Sequence, residues 1–174
     1  MRQRDPFRDP ERLADSVYAY VAYRIGAGAT AEDVTGEAFA RGWRYRETYD
    51  SSRGTPESWL IGIARRVLFE LAASREVPFE ELPDRADPVD EYSRSLDRMT
   101  LAHAMDRLPD RDRELLALRY GAQMSTREIQ AHMGIEGSAV DVALSRARGR
   151  LRGVLAEPEP GRIERGLEVL DLGG

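Results

Sequence analysis

Four arginines, Arg146, Arg148, Arg150 and Arg152, fall at alternate positions at the end of the stretch "STREIQAHMGIEGSAVDVALSRARGRLR". A guanidinium stays charged and offers a planar fork of donors to phosphates or carboxylates, so the chemistry these residues suit is the holding of a phosphate backbone. The residues before them say how they are carried. Ser125 and Glu128 fit an S-x-x-E capping box for a short helix, Gly134 makes a turn, and a longer helix follows. Val140, Leu144, Ala147 and Leu151 are spaced as one buried stripe. Ile129 and Met133 must meet Val140 and Leu144 if the two helices are to cross at a fixed angle. This is the arrangement that sets a helix in the major groove of DNA. The outward face of the second helix is then Ser138, Asp141, Val142, Ser145, Arg146 and Arg148, and Arg127 on the preceding helix can join the phosphate contacts. An ordinary helical hairpin with a solvated arginine face has the same periodicity.

Asp141 stands where a cation is expected. An anion about 4 Å from a phosphate costs on the order of 1 kcal/mol in water. An aspartate can also accept from a cytosine amino group. Weakened DNA reading and cytosine readout both remain open.

Other chemistry finds little support. With no cysteine, disulfides, thiol catalysis and cysteine-ligated metals are excluded. His103 and His132 stand singly, and His132 reads as an exposed or half-buried helix residue. No nucleophile–base spacing and no glycine-rich phosphate loop stand out. No catalytic residue, cofactor or metal is expected. No apolar run approaches the roughly 20 residues of a membrane span, and "MRQRDPFRDPERL" lacks the apolar core of a signal peptide. The expectation is a cytoplasmic protein without membrane association. All 26 cations are arginine, as a GC-rich genome would favour.

The 174 residues show no strand alternation and no internal repeat, and the fold class expected is all-α. Two helical blocks flank an acidic, proline-containing joint. The boundaries read as a first domain at 8–75, a linker at 76–96, a second domain at 97–155 and a tail at 156–174. The linker carries a net charge of −5 and the tail −3. In the first block Leu13, Val17, Tyr20, Val21 and Ile25 share a face, and Gly26 can end their helix. Thr30 and Asp33 resemble a capping pair for the next helix, whose apolar stripe is Val34, Ala38, Phe39 and Trp43. Thr55 caps a third helix that has Pro56 in its first turn and turns Trp59, Leu60, Ile63, Val67 and Leu71 inward. The second block opens with a helix around Asp97 to Leu108. "LPDRDRELLALRYG" follows, with Leu115, Leu116 and Leu118 apolar and Gly121 as its stop. Domains of this size bury only about 60% of their unfolded surface, so each is expected to be marginal and to gain from a partner.

Together, "AEDVTGEAFARGWRYRETYD", "SWLIGIARRVL" and the later "LPDRDRELLALRYGAQMSTREIQAHMGIEGSAVDVALSRARGRL" resemble the extracytoplasmic-function (ECF) sigma factors of the sigma-70 family. The resemblance spans about residues 10 to 155. It implies two helical domains: a region 2-like bundle of three or four helices and a region 4-like helix-turn-helix. It implies a promoter-recognition subunit of bacterial core RNA polymerase, docking on the clamp helices of the largest subunit and on the flap, with an anti-sigma factor as a further partner. Asp33, Glu37 and Arg41 match the clamp-docking motif, with a spacing of four that puts them on successive turns. The loop "YDSSRGTP" matches the segment that captures an unstacked base of the downstream promoter element, through Tyr49, Ser51, Ser52 and Arg53. Trp59, Arg65 and Arg66 lie on the DNA-facing helix after it; Trp59 has a core role open to it as well as a base platform. The acidic linker is either a mimic of nucleic acid in the polymerase cleft or a solubilising spacer.

The departures matter. Gly36 stands where the family usually has glutamine or another polar residue. The basic run expected after "IARRVL" is replaced by "FELAASREV", leaving Arg75. Asp141, Val142 and Ala143 replace a segment that often carries lysine, serine and arginine. These differences keep a second reading in play: a sigma-like interaction module that binds a regulatory partner without opening DNA.

Overall fold

The computed structural model describes residues 5–74 and 100–156. The acidic joint, Arg75 and the tail lie outside them.

Helix α1 runs over Pro10–Ile25. The Asp9 carboxylate accepts from the Arg12 amide at 3.3 Å, Pro10 follows, and Gly26 closes the C-terminus at φ 85°. Leu13, Val17, Tyr20 and Val21 are buried along one face, while Ile25 is only half-buried. Helix α2 (Ala29–Arg44) departs from expectation at its start. Its N-cap is Gly28, at φ 126°, and no side chain caps it. Thr30 lies inside the first turn, so Thr30 and Asp33 do not form the expected cap.

The buried side of α2 is Ala31, Val34, Thr35, Ala38 and Gly42. Trp43 is 57% exposed, because the stripe steps from Ala38 to Gly42 and leaves its neighbour outside. Gly42 is needed at that step: a Cβ there would sit 2.5 Å from Leu60 Cδ2. A short 3₁₀ turn (Arg46–Thr48) leads into the loop before α3 (Pro56–Ser74). Thr55 Oγ1 accepts from the Ser58 amide at 3.2 Å, as its capping role requires. Ile61, Ala64 and Leu68 of α3 are buried together with Leu60 and Val67. This face is broader than the expected stripe because α3 packs against both α1 and α2 and also meets the second unit.

That unit begins with α4, helical over residues 100–106. Helix α5 (Asp110–Leu116) runs into a π-helical turn (Ala117–Gly121). Helix α6 (Thr126–Met133) has the complete capping box. The Ser125 hydroxyl accepts from the Glu128 amide, and the Glu128 carboxylate accepts from the Ser125 amide at 2.9 Å. Gly134 ends α6 in the left-handed conformation at φ 66°. Helix α7 (Gly137–Ala156) buries Val140, Leu144 and Ala147. The crossing expected between Ile129, Met133, Val140 and Leu144 is present within one cluster.

The two domains pack against each other. One continuous core holds Leu13, Tyr20, Leu60 and Leu68 of the first together with Leu115, Leu118, Ile129 and Val140 of the second. Each fully buried aliphatic side chain is worth about 1.5–3 kcal/mol, so each unit is the partner the other needs. Gly121 makes the close approach possible, since a Cβ there would lie 2.8 Å from the Ala19 carbonyl oxygen. Met105, Leu108, Leu116 and Ala147 form a smaller second cluster behind it.

Candidate nucleic-acid interface

The outward face of α7 is as its periodicity predicts. Ser138, Asp141, Val142, Ser145, Arg146 and Arg148 are all exposed, and so is Arg127 on α6. Two residues of α7 are paired within the chain. Arg150 pairs with the buried carboxylate of Asp112. Asp141 Oδ1 accepts from Thr126 Oγ1 at 3.2 Å, so it has a place in the fold independent of any base.

The loop before α3 is built around two anchors. Asp50 Oδ1 accepts from both the amide and the hydroxyl of Ser52, at 2.9 and 2.7 Å, and the Ser52 hydroxyl holds the Asp50 pKa below its ordinary value. Tyr49 is 3% exposed, donates from its hydroxyl to the Gly54 carbonyl at 3.0 Å, and lies 5.5 Å from the Trp59 ring. It holds the loop from below, which differs from the base-contacting place expected of it. Ser51, Ser52 and Arg53 are exposed. Trp59 is half-buried; Phe7 meets it edge-on at 6.4 Å, so it belongs to the packing. Arg66 is open to solvent with Glu70 3.4 Å away. Arg65 is drawn to Glu114 of the second unit at 3.6 Å.

Asp33, Glu37 and Arg41 share the exposed side of α2. Arg41 reaches Glu37 at 2.6 Å and Glu70 of α3 at 2.7 Å, and these two bonds raise its pKa. Gly36 between them has nothing near it. One feature escaped the sequence reading: Trp43 and Tyr45 are 57% and 52% exposed, and the Arg46 guanidinium sits 4.7 Å over the Trp43 ring. Tyr45 lines an open groove of about 720 Å³ between α2 and α3, with Arg41, Arg44 and Arg66. The signal was present in the spacing Ala31, Val34, Ala38, Gly42, which already closes the buried stripe without Trp43.

Among the described residues no cluster of His, Asp and Glu could hold a metal ion, and no helix is long and apolar enough to cross a membrane. His132 is half-buried, within the range expected, and its side chain is 8% exposed. Burial, then the nearby Arg65, holds its imidazole down to about 4. At neutral pH its 3.8 Å approach to Glu114 is therefore not an ion pair.

Residues 11–76 match the family model for Sigma-70 region 2, and residues 98–151 match that for Sigma-70, region 4. The RNA polymerase sigma-E factor of Streptomyces coelicolor is 32% identical over 126 residues, which are 70% of either chain. The chain belongs to the ECF sigma factors of the sigma-70 family.

Other relatives agree. The ECF sigma factor BldN of the same organism is 32% identical over 79% of this chain, and RpoE of Cereibacter sphaeroides is 26% identical over 82% of it. The chain spans little more than half of BldN, 55%, but 81% of RpoE. Two solved structures share the fold. The sigma factor RpoE in complex with the anti-sigma factor NepR from Bartonella quintana matches at TM-score 0.63 and 18% identity, covering 84% of this chain and 94% of that one. CnrH in complex with the cytosolic domain of CnrY matches at 0.60 and 22%, covering 85% and 82%. The loop 49–55 and α3 thus fall in region 2, and the capped α6 with the arginine face of α7 falls in region 4.

Proposed function

We propose that this sigma factor directs bacterial core RNA polymerase to a particular set of promoters and assists their opening, acting in the cytoplasm without covalent chemistry of its own. The exposed face of α7, held at a fixed angle by the capping box and Gly134, is the observation that carries the reading. Val142, Ser138 and Ser145 supply base-edge contacts to the upstream element, while Arg127, Arg146 and Arg148 hold phosphates. Ser51, Ser52 and Arg53 take an unstacked base of the downstream element, a step whose cost of a few kcal/mol must be met by stacking and edge contacts. Asp33, Glu37 and Arg41 form the charged ridge that meets the clamp helices. The anti-sigma complexes of the two similar folds support a partner of that kind here.

Run-off transcription with homologous core enzyme on a library of random promoters tests this. The expected result is a stable complex with core and transcripts from a subset that shares two spaced elements. A complex that yields no promoter-dependent transcript overturns the reading in favour of an interaction module.

A further inference from the structure

The end of α7 leaves an apolar strip open beside a pair of cations. Tyr120 and Leu155 are 44% and 45% exposed. With Leu101 and Leu151 they line a groove of about 210 Å³ over the smaller apolar cluster. Arg148 and Arg152, one turn apart on α7 and both exposed, stand in the same lining. Among the described residues neither takes a carboxylate partner, whereas Arg150 between them is paired with Asp112. Such a face complements a helix that is apolar on one strip and acidic on the next.

We propose that residues 163–172 of the same chain seat in this groove as an acidic amphipathic helix and screen Arg148 and Arg152. The sequence carries the complement. Ile163, Leu167 and Leu170 recur at four and three, the spacing of one helical face, and Glu164, Glu168 and Asp171 repeat it one position on. Seated by its apolar strip, the segment lays a row of carboxylates along one flank. Glu164 and Glu168 are then one turn apart, as Arg148 and Arg152 are. Pro158, Pro160 and Gly161 come between; proline interrupts a helix, so the sequence favours a reversal after α7. The reach suffices. Seven chain steps from Ala156 to Ile163 span up to about 23 Å, and Arg148 lies about 12 Å back along α7.

Segment and groove share one chain, and a short tether gives an effective concentration on the order of mM. A contact of modest size is therefore occupied. Arg148 also belongs to the face of α7 that holds phosphates, so the seated segment competes with DNA for it. Nucleic acid that binds the released form better shifts the population towards release. That consequence rests on the sigma-factor reading, whereas the seating itself rests on the groove and on the sequence of the segment.

The absence of native cysteine allows a direct test on the full chain. A spin label at Gly173→Cys should broaden the NMR signals of Leu101, Tyr120 and Leu151 within its own chain. Leu167→Ser with Leu170→Ser should abolish the broadening, and so should Glu164→Arg with Glu168→Arg. Adding Arg148→Glu and Arg152→Glu to the second pair should restore it, which a loss of folding does not mimic. In parallel, Leu167→Ser with Leu170→Ser should steepen the slope of log K against log salt for non-specific duplex DNA by about 0.9 per arginine released. A parent without broadening overturns the seating. Broadening that passes only from a labelled chain to an unlabelled one also overturns it, and assigns the groove to a second copy. A charge exchange that restores nothing overturns the pairing with the arginines, and an unchanged slope overturns their screening from DNA. No polymerase or promoter enters these measurements, so a failure of the sigma-factor reading would show separately, in transcription.

Discussion

Thr126 Oγ1 donates to Asp141 Oδ1 at 3.2 Å, tying the start of α6 to the start of α7 across the glycine turn. The acidic residue that looks misplaced on a DNA-facing helix is thus a brace for the angle between the two helices that carry the face. A brace and a base contact make different demands on the same carboxylate, and variants separate them.

Asp141→Ala removes both the brace and the negative charge. The brace is an exposed hydrogen bond, so its loss should cost about 0.5–1 kcal/mol, read as a lower urea midpoint. Non-specific DNA affinity should rise at the same time. If Asp141 accepts from cytosine, selection on random DNA should also show preference relaxing at one position. An affinity that falls with every sequence would mean that the angle matters more than the charge.

Arg146 and Arg150 lie one turn apart and should behave differently. Arg146→Ala should lower the slope of log K against log salt by about 0.9, the effect of one phosphate contact. Arg150→Ala should leave the slope nearly unchanged. It should instead destabilise the fold by about 1–3 kcal/mol, because the buried Asp112 carboxylate loses its cation. Equal slopes for the two variants would remove this distinction.

The two glycines of α2 should respond to alanine with opposite signs. At Gly36 a Cβ meets nothing, so Gly36→Ala should stabilise by up to about 1 kcal/mol through helix propensity. At Gly42 the same change presses on Leu60 and Phe7, and should destabilise by about 1–3 kcal/mol. Thermal unfolding of the two variants checks both.

Acid should loosen the fold through His132. The imidazole of His132 is held near 4, against about 6.5 in an unfolded chain. Between those values the unfolded chain binds the extra proton, so stability rises with pH and falls as pH drops from 6.5. The groups facing the ring are Arg65 from α3 and Glu114 from α5, the latter itself held by Tyr20 and Arg24 of α1. The urea midpoint should therefore be lower at pH 5 than at pH 7, and His132→Gln should remove most of that difference. A variant that keeps the full difference would assign it to other groups.

Much of the candidate interface was legible because its signals are local. The capping box, the turn at Gly134 and the three- and four-residue spacing of Val140, Leu144 and Ala147 each act within a turn or two of helix, and their outward face followed directly. Apolar spacing alone puts Trp43 in the stripe of α2, whereas the packing takes Gly42, where only a hydrogen fits against Leu60. Tyr49 was misplaced because a tyrosine in a loop looks available until its hydroxyl finds the Gly54 carbonyl.

The amino-acid order alone determined the helices, the caps at Thr55 and Ser125, the division into two sigma regions and the side of α7 that faces outward. All of these follow from interactions between residues a few positions apart. Only the tertiary structure decided that the two units share a core, that Arg150 belongs to Asp112 and that Glu114 gathers Tyr20, Arg24 and Arg65. Tyr20 and Glu114 are 94 positions apart. Helical periodicity reports which face of an element is apolar, but not which distant face will cover it or which buried charge will meet which cation.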